Sequence, residues 1–143
     1  MTKNSIIITG HGSYASGIQS SIKLILGDNS DLYFIDFLKE DSSEDLLKKF
    51  KNTIKDNHIN NLVFVCDLLG GTPFNTAVNL SLENKNFKVT SGCNLNSILE
   101  GILQKDTCTA NELADMLVDK TKSTTLKFTI DTNNSSNNED NGI

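Results

Sequence analysis

The sequence predicts an α/β protein built on an open, mainly parallel four-stranded sheet in the order 2-1-3-4, flanked by helices. A fifth, antiparallel strand is expected near the C-terminal end. Three observations carry this expectation. Four short runs rich in β-branched and aromatic residues, at 5–9, 32–37, 63–66 and 87–90, have the length and unbroken apolarity of strands buried on both faces. Segments of helical spacing separate them, which is the alternation of a parallel sheet with right-handed crossovers. Residues 124–130, T-T-L-K-F-T-I, instead alternate apolar with polar, as a strand with one wet face does.

Taken in order, residues 5–9 form the first strand and stop at Gly10-His11-Gly12-Ser13, a flexible corner. From Ala15 the apolar residues Ile18, Ile22, Ile25 and Leu26 share a helical stripe that Gly27 ends. The second strand follows at 32–37. Asp41 with Glu44, or Ser42 with Asp45, caps a helix over 43–56 whose stripe is Leu46, Leu47, Phe50 and Ile54. After the central run, Phe74 to Leu82 continues as a helix carrying Ala77, Val78 and Leu82. Leu95, Ile98, Leu99, Ile102 and Leu103 mark the next helix, and Thr109 with Glu112 is a capping box for one carrying Leu113, Met116 and Leu117. Residues 1–131 make one domain, and 132–143, which apart from Thr132 and the final Ile143 are Asn, Ser, acid and Gly, read as a disordered tail.

The central run ends abruptly in Asp67, then in Leu68-Leu69-Gly70-Gly71-Thr72-Pro73, with the only proline of the chain. A carboxylate directly after a buried run stands at a strand's carboxyl end, where open α/β sheets bind ligands. Gly70 and Gly71 permit a sharp turn, and Pro73 suits the first turn of a helix, whose N-terminus attracts anions. In the order 2-1-3-4 the switch point lies between strands one and three, so His11 and Asp67 face one another across it. A histidine, a carboxylate to set its tautomer and a loop of amide donors are the parts of a phosphoryl acceptor that needs no metal and no cofactor. Gly12, Ser13, Gly70, Gly71 and Thr72 are the candidate phosphate contacts, with Thr72 equally suited to cap the helix. Phe74 and Asn94 lie on the loops a partner would touch.

Composition narrows the function further. Thirteen Lys and Arg against 18 Asp and Glu give a net charge of −5, which disfavours nucleic acid. No G-x-x-x-x-G-K-[ST] is present and no G-x-G-x-x-G follows the first strand. Three cysteines without a C-x-x-C pair read as reduced thiols, Cys66 in the core and Cys93 near the crevice. His58 falls at the opposite edge from His11, so a two-histidine metal site is not expected. With no signal-peptide pattern and no bilayer-length apolar run, a cytoplasmic protein is expected.

Gly10-His11-Gly12, the stretch from Asp67 to Asn75 and Gly92-Cys93-Asn94-Leu95 resemble, in order and spacing from about Ser5 to Ile130, the IIA domain of the mannose, fructose and sorbose family of the bacterial sugar phosphotransferase system. The resemblance implies that His11 accepts a phosphoryl group from the phosphocarrier HPr and passes it to a IIB component, that Asp67 pairs with the imidazole, and that a membrane IIC/IID complex is served indirectly. It also implies a homodimer that exchanges the last strand. Asn96 and Ser97 depart from the family's G-x-N-[LI]-P-M segment, so the shape of the fourth loop is open. The phosphoryl donor subunit of dihydroxyacetone kinase is similar in fold but resembles S-H-S and D-L-G-S at the two loops. A non-enzymatic flavodoxin-like ligand-binding module would use the same switch point, though the chain has no tryptophan to stack on a flavin.

Overall fold

The computed structural model describes residues 3–130. The elements in order are β1 (Ser5–His11), α1 (Tyr14–Leu26), β2 (Leu32–Phe37), α2 (Ser43–Asp56), β3 (Leu62–Cys66), α3 (Thr72–Glu83), β4 (Phe87–Ser91), α4 (Leu95–Gln104) and α5 (Ala110–Thr124). All four strands are parallel and lie in the order β2-β1-β3-β4.

The apolar runs become strands because both sides of the sheet are covered. On β1 and β3, Ile6, Ile8, Val63 and Val65 face a core with Ile22, Ile98, Ile102, Leu113 and Leu117 of α1, α4 and α5. Their neighbours Ile7, Leu62, Phe64 and Cys66 face Leu46, Phe50, Ala77 and Leu80 of α2 and α3. Each such side chain leaves water almost completely, and burying an Ile, Val, Leu or Phe among them contributes roughly 1.5–3 kcal/mol. Pairing of Thr9 with Cys66 in the β1–β3 register brings the carboxyl ends of these two strands level.

The helix starts follow local chemistry. Ser42 and Asp45 form the capping box of α2, while Asp41 accepts hydrogen bonds from the Leu38 N–H and the Lys49 ammonium instead. Those two donors hold the Asp41 carboxyl below its usual range. Thr109 and Glu112 box the start of α5 as expected, and α3 begins at Thr72, two residues before the expected Phe74. Leu82, Leu103 and Ile25, expected on buried stripes, are exposed, because the sheet lies under the turns carrying Leu80, Ile102 and Ile22.

The expected fifth strand is not formed within the described chain, and its first residue, Thr124, belongs to a helix instead. Thr124 is the last residue of α5, and its hydroxyl and that of Thr125 bond back to the Lys120 and Thr121 carbonyls, which carries the helical turn forward. No ladder partner meets residues 125–130, and Leu126, Phe128 and Ile130 remain 79–85% exposed. A strand exists only with a partner edge, so the described chain has a four-stranded sheet ending at β4. The expected tail at 132–143 lies outside the described residues. Among the described residues no helix is long and apolar enough to cross a membrane.

Candidate active site

His11 is the last residue of β1, and Asp67 follows the last residue of β3. The Asp67 N–H donates to the Thr9 carbonyl at 3.1 Å, continuing the ladder one step and aiming the carboxylate across β1. Asp67 Oδ2 then accepts from the His11 backbone N–H at 2.9 Å and lies 2.7 Å from His11 Nδ1. Its other oxygen, Oδ1, accepts from the Leu68 N–H at 2.9 Å. Burial acts to raise the Asp67 pKa, but the two His11 hydrogen bonds, the imidazole's charge and the Leu68 N–H outweigh it and hold the carboxyl below its usual range. The Asp67 side chain is only 10% exposed, against 46% for His11, so the imidazole is the reachable partner.

The rest of the ring is set by its neighbours. Phe37, at the end of β2, meets the imidazole edge-on with centroids 5.7 Å apart. Gly71 lies beneath it: a Cβ there would stand 2.8 Å from His11 Cε1 and 3.4 Å from Nε2, so only glycine lets the ring settle over the start of α3. Gly70 supplies the turn, with φ of 83°. Asn75 closes the loop by donating its amide to the Gly70 carbonyl at 3.0 Å. With Nδ1 engaged by Asp67, the free nitrogen is Nε2, above a helix start whose first amides have no partners within the helix.

A family model described as "PTS system fructose IIA component" matches residues 5–118. The chain belongs to this family. The fructose-specific EIIA component of Bacillus subtilis is 28% identical over 79% of this chain and 78% of its own length. The mannose-specific EIIAB component of Escherichia coli is 26% identical over 71% of this chain, a stretch that spans only 32% of that protein. The EIIA structure from Streptococcus agalactiae matches with a TM-score of 0.81 and 31% identity, covering 87% of this chain and 96% of that one. As a phosphotransferase-system IIA component the chain has a phosphoryl-transfer role in sugar uptake.

Within this IIA fold the expected site residues divide. Gly71, not Thr72, is the N-cap of α3, so Thr72 is the first helical residue and caps nothing. Gly12 and Ser13 lie on the same edge, the former with its N–H on the Phe37 carbonyl and the latter as N-cap of α1 without a side-chain cap bond. Phe74 is partly buried against the α2/α3 core rather than displayed. Asn94 is consumed inside the chain: its Oδ1 caps α4 through the Ser97 N–H, and its amide donates to the Thr124 hydroxyl at 2.9 Å. Ser97, standing where the family pattern has Met, is buried and bonds Asn94 and Thr121, so a polar tie to α5 shapes the fourth loop of this IIA chain. The exposed apolar residues on these loops are Leu68, Leu69 and Leu38, which sequence reasoning passed over although two leucines in a polar loop were the available signal.

Proposed function

We propose that the chain is the cytoplasmic phosphoryl carrier that takes a phosphoryl group from phospho-HPr on His11 Nε2 and gives it to a IIB component. The observation that carries this reading is the 2.7 Å contact between His11 Nδ1 and Asp67 Oδ2, which leaves Nε2 as the unprotonated, outward nitrogen. The lone pair of Nε2 attacks phosphorus, the bond from phosphorus to the donor protein breaks, and the proton on Nδ1 stays between the ring and Asp67. Positive charge that develops on the imidazole is stabilised by that carboxylate. The phosphoryl oxygens are met by the amides at the start of α3 and by Thr72, with the Ser13 hydroxyl at the corner after β1 as a further donor, while the N–H of Gly12 is already held by the Phe37 carbonyl.

Leu68, Leu69 and Leu38 give partner proteins an apolar landing area beside the imidazole. The E. coli relative bears an A and a B unit in its name, which supports a IIB acceptor. Two chains exchange the 125–130 segment in a homodimer, and Leu126, Phe128 and Ile130 are the side chains that such a contact would cover. Reconstitution tests the reading: purified phospho-HPr should label the protein, and the labelled protein should label a IIB component, with EDTA present throughout. Failure of the first transfer, or dependence of it on added magnesium, would overturn it.

A further inference from the structure

Gly10 is hemmed in by two side chains. A Cβ placed on it would lie 2.6 Å from Cδ2 of Tyr14 and 2.8 Å from both Cβ and Cγ of Asp67, so the tyrosine ring and the stem of the carboxylate converge over the one residue of this corner that leaves them room. Tyr14 is the first residue of α1, and its ring is partly buried against the core shared by α1, α4 and α5. Burial raises the Tyr14 pKa, and the negative charge of Asp67 adds to that, in keeping with their proximity.

Granting that His11 is a phosphoryl acceptor, we propose that Tyr14 is a positioning residue that acts through Asp67: its ring covers the Gly10 flank of the carboxylate and holds Oδ2 on the imidazole. Water kept from that flank cannot compete for Oδ2, and the hydrogen bond to Nδ1 is stronger in the drier setting. The carboxylate is therefore in place before phosphorus arrives and need not be recruited as positive charge grows on the ring. Tyr14 itself touches neither imidazole nitrogen in this account.

The test reads the tautomer of His11 by 15N NMR and, separately, the rate of labelling from phospho-HPr. The wild type should show the Nδ1–H tautomer. Tyr14→Ala should give mixed tautomers and labelling slower by about tenfold, and Tyr14→Phe should rescue both. In an Asp67→Asn background Tyr14→Ala should cause no further slowing, because the residue it acts through is gone. If Tyr14→Ala melts below the assay temperature, Tyr14→Leu replaces it with the same expectations. A wild-type tautomer and rate in the alanine or leucine variant, equal slowing with Asp67→Asn, or a phenylalanine variant as slow as alanine would each overturn the proposal. The tautomer is read without any donor protein, so it still decides the matter should the wild type accept no phosphoryl group.

Discussion

Asp67 accepts three hydrogen bonds, two of them from His11, and replacing it with asparagine separates its two effects. The acceptor nitrogen survives while the partner that selects its tautomer is lost. Asp67→Asn should therefore still label from phospho-HPr, at a rate lower by something on the order of 10² to 10⁴. Its second effect concerns stability. Because the folded carboxyl titrates below its ordinary value, its interactions stabilise the fold fully above the unfolded pKa of about 4 and are lost as pH falls through the folded value. The difference in unfolding free energy between wild type and Asp67→Asn should thus shrink on acidification, measured by urea melts at descending pH. A difference that grew toward low pH would contradict the assigned cause. His11 and Asp67 were legible in the sequence because each directly ends, or closely follows, an unbroken buried run. The exposure of Leu68 and Leu69 was not, since it belongs to the folded surface and not to residue type.

At the scale of elements, the start of α3 and the cap of α4 carry distinct expectations. Gly71→Ala would put a methyl 2.8 Å from His11 Cε1, displacing the ring from the amides beneath it. Labelling should fall by about 10², the cost of misplacing a reacting group by an ångström, while the melting temperature changes little. Asn94→Ala should do the reverse, lowering stability by about 1 kcal/mol through loss of the α4 cap while labelling continues. A normal melting curve with failed transfer to IIB would instead return Asn94 to the partner surface. Its ties to Thr121, Thr124 and Thr125 were not legible because those hydroxyls stand 27 to 31 residues away, at the end of α5 and on its C-cap, beyond the reach of any local pattern. Capping boxes at Ser42 and Thr109 were legible for the opposite reason, since their partners are three residues away.

For the molecule as a whole, four apolar runs and the crossover rule made a parallel sheet readable but not its strand order, and it is the observed order β2-β1-β3-β4 that brings β1 and β3 side by side at the edge that carries the site. Residues 125–130 were a different matter, because alternation announces a strand without saying whose edge it joins. Their exposed Leu126, Phe128 and Ile130 predict that the full chain scatters light as a dimer and that a chain truncated after Thr125, which keeps the Asn94 ties, becomes a monomer. A truncated chain that remained a dimer of unchanged melting temperature would place the interface elsewhere.

The central claim, that His11 Nε2 carries the phosphoryl group, is met most directly by mass spectrometry of the peptide labelled from phospho-HPr, joined to 31P and 15N NMR of the intact protein. The account predicts one phosphate, on His11, bonded to Nε2, lost in acid and retained in base, and absent from a His11→Gln protein. Phosphate on Thr72, Ser13 or His58, attachment at Nδ1, or label on His11→Gln would contradict it.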